Sequence, residues 1–109
     1  MALEAALEKL ARNVVVINLE GICSFADQFI ICSGTSSRHA KSIAEGIEEK
    51  LRMAGLRPAH IEGRADAEWI LADYRDFVVH IFTETSREFY DLERLWHTGR
   101  RREVRDEAP

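Results

Sequence analysis

Little in this chain suits a membrane or secreted setting. No apolar run approaches the ~20 residues of a membrane span, and Met1-Ala2-Leu3-Glu4 has neither the positive region nor the long apolar stretch of a secretory signal. There are only two cysteines, Cys23 and Cys32, the second inside an apolar run. Two reduced thiols in a cytoplasmic protein fit this better than a disulfide. An excess of positive charge is also missing. The formal net charge is -4 at pH 7, which argues against wholesale wrapping of nucleic acid and leaves room only for a local basic patch. No internal repeat or low-complexity linker divides the chain.

What is present is one ordinary globular domain. A chain of 109 residues with 46% hydrophobic and 31% charged side chains can bury a core unaided. Leu3, Leu7, Leu10 and Ala11 fall at helical spacing over residues 3–11. Val14-Val15-Val16-Ile17 is β-branched throughout and does not alternate, so it predicts a strand buried on both faces. Residues 21–27 break the pattern, and Phe29-Ile30-Ile31-Cys32 predicts a second buried strand ending at Gly34. Residues 36–54 predict the longest helix, with Ala40, Ile43, Ala44, Ile47, Leu51 and Ala54 in one stripe. Thr35, Ser36 or Ser37 can cap its start, Gly55 suits its end, and Pro58 limits residues 56–61 to a short or edge strand.

A polar loop over residues 62–68 leads into two apolar runs, Trp69 to Tyr74 and Phe77 to Phe82, separated by Arg75-Asp76. This is a hairpin pattern. Alternation places Ile70, Ala72, Tyr74, Phe77, Val79 and Ile81 on one side, a core face. Trp69, Leu71, Asp73, Val78, His80 and Phe82 share the other, which mixes apolar groups with a carboxylate and an imidazole as a semi-exposed contact surface would. On a helix over residues 87–96, Phe89, Leu92 and Trp96 can pack on the sheet while Tyr90, Glu93 and Arg94 turn outward. Residues 100–109 carry four arginines among acidic and small residues and read as a disordered tail. The expected fold is a single α/β domain with a mixed sheet of about five strands and flanking helices.

Candidate chemistry is sparse. Gly34-Thr35-Ser36-Ser37 joins a strand to a helix N-terminus, where free amides and the dipole could hold an anion. It lacks the phosphate-loop lysine spacing and the dinucleotide glycine pattern, so a capped turn is the better reading. Asp66 and Glu68 lie in a polar loop, and Asp73 and Asp76 straddle the turn, so neither pair makes the convergent carboxylates of a two-metal transferase. His39, His60, His80 and His97 are scattered, and neither cysteine has a close metal-ligand neighbour. His80 beside Asp73 or Asp76 could form an acid–base pair, but no nucleophile accompanies it. No catalytic residue, cofactor or metal is expected. Trp69 and Trp96 together in so small a chain, with Tyr90 and arginines nearby, suit a protein interface.

Gly34-Thr35-Ser36, the long helix from Arg38-His39, Asp27 with Phe29-Ile30-Ile31, Trp69-Ile70-Leu71 with Asp73, Asp76 with Val78-Val79-His80, and the run from Arg87 through Tyr90-Asp91-Leu92-Glu93-Arg94-Leu95-Trp96 resemble, in order and spacing, the ribosomal silencing factor family, RsfS or Iojap-like. The resemblance runs from about Leu3 to Trp96, implying a domain over residues 1–97 and a charged tail over 98–109. It implies an α/β fold related to nucleotidyltransferases but without their catalytic carboxylates. It also implies a non-enzymatic repressor that binds the large ribosomal subunit through ribosomal protein fourteen and blocks joining of the small subunit when nutrients are scarce. The docking surface it implies is Trp69, Leu71, Asp73 and Tyr74, supported by His80 and Tyr90. The same apolar face would be free without its partner, which makes a homodimer plausible. The chain departs from the family pattern at Arg75, where glycine is usual, at Gln28, where an aromatic is common, and at Glu68, where a small residue is common. Two rival readings are a nucleotide-binding protein using Gly34-Thr35-Ser36, and ribosomal RNA binding by Arg100, Arg101, Arg102 and Arg105. Glu103, Asp106 and Glu107 oppose the latter.

Overall fold

The unalternating apolar runs form the centre of a six-stranded sheet in a computed structural model that describes residues 1–95 and 100–104. In chain order the elements are α1 (Ala2–Glu8), β1 (Arg12–Asn18), β2 (Gln28–Gly34), α2 (Ser37–Met53), β3 (His60–Glu62), β4 (Trp69–Asp73), β5 (Phe77–Thr83), α3 (Glu84–Tyr90), α4 (Leu92–Leu95) and β6 (Arg100–Val104). The strand order is β3-β4-β5-β2-β1-β6. Only β2 and β5 pair in parallel; the other neighbours are antiparallel, so the sheet is mixed.

The two faces are covered unequally. On one, α1 and α2 pack over Val14, Val16, Ile30, Cys32, Ile70, Ala72, Val79 and Ile81. The stripe expected for α2 is buried at Ala40, Ile43, Ala44, Ile47 and Leu51. Ser36 caps the start of α2 by accepting from the His39 N–H at 3.1 Å. At its end Gly55, at φ 85, donates to the Arg52 carbonyl while Leu56 donates to that of Leu51, the paired bonds of a Schellman motif. The other face carries Val15, Ile17, Phe29, Ile31, Val78 and Phe82. Among the described residues no long helix packs on it; Leu19 and Ala26 from the β1–β2 connection and Leu92 of α4 join its cluster, in which the six strand residues are 0–4% exposed.

Four expectations change. First, α1 buries Ala2, Ala5 and Ala6 most deeply; of the expected set Leu3 and Leu7 are partly buried against the core and Ala11 is buried, but Leu10 is exposed at φ 61. Second, residues 87–96 are not one helix, because Asp91 adopts a left-handed backbone (φ 46) and separates α3 from α4. Third, this break turns Phe89 out to 80% exposure, although helical spacing placed it on the sheet. Fourth, Arg100–Val104, expected in a tail without structure, pairs along β1 from Asn18↔Arg100 to Val14↔Val104. The open edge of β1 offers a row of backbone donors and acceptors that any extended segment can satisfy, whatever its side chains. Trp96, His97 and Arg105, and the expected boundary at residues 97–98, lie outside the described residues.

Candidate functional site

Register brings the second face of the hairpin together. Trp69 pairs with Phe82, Leu71 with His80 and Asp73 with Val78, so all six project to one side as alternation predicts. The turn closes at Arg75-Asp76. The Tyr74 N–H donates to the Phe77 carbonyl at 2.9 Å and the Asp76 N–H to the Tyr74 carbonyl at 3.0 Å, around Arg75 at φ 75. A bond across one residue at that φ is a γ-turn, a conformation strained for a side-chain-bearing residue. The Asp73 carboxylate accepts from the Arg75 N–H at 2.8 Å and so supports the turn from outside it.

Trp69 is the centre of this face. Its ring stacks on Phe82 (centroids 5.0 Å, 26°) and meets Tyr90 of α3 at 4.8 Å. Its Nε1–H donates to His80 Nδ1 at 3.1 Å. His80 is 3% exposed, and burial pushes its imidazole down to about 4, so it is neutral at pH 7. Nδ1 is therefore the acceptor and Nε2 carries the proton, buried without a hydrogen-bond partner. His80 is thus buried behind the face, where it fixes the indole. It does not form an acid–base pair with Asp73, whose carboxylate holds the turn.

Tyr74 leaves the set. It lies on the opposite face among the core residues, stacked on Phe77 at 5.1 Å, with its hydroxyl buried and unpaired. Burial raises its phenol. Leu71 and Asp73 are half-buried, and Tyr90 is 48% exposed.

Two aromatics extend the surface beyond the residues named from the sequence. Phe89 is 5.1 Å from Tyr90, edge to face, and Phe25 is 63% exposed and 6.2 Å from Phe29, whose ring meets His80 at 4.5 Å. A line of rings thus runs from Phe25 through Phe29, His80, Trp69 and Tyr90 to Phe89. Phe25 sits in a segment without periodicity, and Phe89 was assigned inward by a helical spacing that the break at Asp91 cancels. No sequence pattern marked either.

The strand-to-helix turn is self-satisfied. The Thr35 N–H donates to His39 Nδ1 at 2.9 Å, the His39 N–H to Ser36 Oγ, and His39 Nε2 donates to the Lys9 carbonyl at 2.7 Å. Two of the amides an anion would use, those of Thr35 and His39, are thus taken up internally. Burial pushes the Cys32 thiol up to about 12, which makes it unreactive. Among the described residues no three His, Cys, Asp or Glu side chains converge as a metal site, and no helix is long and apolar enough to cross a membrane.

A family model described as "Ribosomal silencing factor during starvation" matches residues 1–109. A ribosomal silencing factor of Halalkalibacterium halodurans is 38% identical over 96 residues, covering 88% of this chain and 82% of its own. One from Bacillus subtilis is 36% identical over 96 residues, covering 88% and 81%. A crystal structure of a protein from Chromobacterium violaceum superposes with a TM-score of 0.87 at 31% identity, covering 89% of this chain and 81% of that one.

Proposed function

The chain belongs to the ribosomal silencing factor family, a family of ribosome-associated regulators of translation, and from that premise we propose that it binds the free large ribosomal subunit in the cytoplasm through ribosomal protein fourteen and excludes the small subunit. The observation that carries this reading is the ring-lined second face of the sheet. Three aromatic side chains there, Phe25, Phe89 and Tyr90, are roughly half exposed or more, around a rigidly held indole. Exposed aromatics beside a fixed tryptophan are the composition of an interface core rather than of a solvated surface. Glu88 and Asp91 flank Phe89 and Tyr90 in the chain, which favours a protein surface over a phosphate backbone as the partner.

Repression of this kind needs no chemistry. A contact of roughly 1,200 Å² in total is enough for a specific complex, and its effect comes from occupying the surface the small subunit needs. Purified large subunits should carry the protein down a gradient, and adding it before small subunits should lower the yield of joined ribosomes. Failure to co-migrate would sink the binding claim; co-migration with normal joining would sink the exclusion claim. In the absence of ribosomes the same face is open to a second copy, so a homodimer through Phe25, Tyr90 and Phe89 should compete with subunit binding.

A further inference from the structure

Arg87 directs its donors into the protein. Its side chain is 12% exposed, and that of its partner Glu93 is 16% exposed. Nε donates to Glu93 Oε1 at 2.8 Å, while Nη1 donates to the Asn13 carbonyl at 2.7 Å and to Ser33 Oγ at 3.0 Å. One guanidinium therefore ties α3 to α4, β1 and β2.

Each of the three acceptors sits where Arg87 accounts for it. Ser33 is a hydroxyl at 1% exposure, on the strand face that otherwise presents Phe29 and Ile31. Asn13, at φ 49, lies in an irregularity where the register of β1 on β2 shifts between Arg12 and Val15. Asparagine tolerates that left-handed backbone, and such a bulge can turn a carbonyl out of the ladder. Glu93 is six residues from Arg87, too far for neighbours on a continuous helix. The break at Asp91 brings it back. Tyr90 comes three residues after Arg87 and directly before the break, so the seat of its ring on Trp69 depends on where this pair holds the end of α3.

The geometry points to Arg87, partnered by Glu93, as the positioning residue of the docking face: it anchors α3 and α4 to the sheet so that Tyr90 closes on Trp69 and Phe89 stands out to solvent. The binding consequence rests on the docking role proposed above; the placement of Tyr90 does not. A guanidinium spreads its donors over separate nitrogens of a rigid planar fork, a span that an ammonium, with all three donors on one nitrogen, does not reproduce. Because the pair is mostly buried, it differs from an exposed ion pair of little worth.

Nuclear Overhauser contacts between the Trp69 and Tyr90 rings report the placement, and co-sedimentation with large subunits reports its consequence. Arg87→Lys is expected to lose those contacts and to bind large subunits at least about tenfold more weakly. Glu93→Gln keeps an oxygen acceptor for Nε but removes the counter-charge, so it should weaken the contacts and the binding in the same direction, by less than Arg87→Lys. If Arg87→Lys does not fold, Ser33→Ala, which removes one acceptor, takes its place and should weaken the same contacts. Wild-type contacts and wild-type affinity in the folded variant would overturn the proposal. So would retained contacts with weak binding, because Arg87 would then be touching the partner itself. Should the wild-type protein not bind large subunits, the docking role fails while the ring contacts still decide the placement.

Discussion

At the scale of the residue, His80 shows how a polar group can serve a surface without appearing on it. Its neutral imidazole accepts from Trp69 and thereby fixes the indole that the docking reading depends on. The sign of its pH effect follows from burial. The folded value, about 4, lies below the ordinary 6.5, so on acidification the unfolded chain takes up this proton first. Its stabilising contribution is complete above pH 6.5 and is lost as pH falls toward 4, by about 3 kcal/mol in all. Denaturant unfolding at several pH values should show a shallower decline over this window for His80→Gln, which keeps an acceptor for the indole but does not titrate. Trp69→Ala should cost on the order of 2 kcal/mol of subunit binding, about thirtyfold in Kd, in a variant shown by circular dichroism to be folded. At this scale the sequence was most readable where alternation governs: Trp69, Leu71, Asp73 and His80 share a face as their parity requires. Tyr74 follows the same parity onto the opposite face, and family likeness alone had placed it in the site.

At the scale of the element, left-handed backbone flanks β4 on both sides, at Gly63 and Ala67 before it and at Arg75 after it. Gly63 is at φ 82, and a Cβ there would lie 1.9 Å from the Trp69 carbonyl oxygen. Gly63→Ala should therefore cost at least ~2 kcal/mol of stability in denaturant unfolding, and should shift the Trp69 indole signal. Arg75 presents the opposite case. It occupies φ 75 with a side chain, so Arg75→Gly should stabilise the hairpin by about 0.5–1 kcal/mol, relief of the left-handed strain being offset in part by glycine's greater chain entropy. Measuring both variants by the same unfolding curve tests the sign difference. The helices were unevenly legible. The α2 stripe and caps stood in the sequence, because a long helix repeats its signal over several turns. The break at Asp91 did not, because a single left-handed residue leaves the apolar spacing on either side intact.

At the scale of the whole molecule, α1 and α2 cover one face of the sheet, while the other buries its strand residues under short segments and leaves Trp69 and Leu71 half-buried at its margin. The docking reading uses this margin together with the exposed rings of Phe25, Phe89 and Tyr90. The edges of the sheet matter too. Removing residues 100–109 strips β6 from β1 and opens the backbone of a strand whose Val14, Val15, Val16 and Ile17 are all buried. Such an edge pairs readily with other chains, so the truncated protein should melt earlier and elute as larger species on size exclusion. Arg100, Arg101 and Arg102 lie on this strand beside Glu103. Replacing the three with glutamine should change the salt dependence of subunit binding by less than the slope of about one per phosphate contact.

The sequence alone determined the α/β class, the central strands, the α2 helix with its caps, the hairpin and the division of its residues between two faces. Each of these rests on local periodicity or on a turn residue, which the chain carries wherever it folds. Tertiary structure decided which face α1 and α2 cover, because that depends on where the helices pack. It decided that Arg100–Val104 becomes a strand, because the donors and acceptors it satisfies belong to β1, far away in sequence. It also decided that Phe25, Phe89 and Tyr90 join the line of rings around Trp69, because those ring contacts cross segments far apart in the sequence.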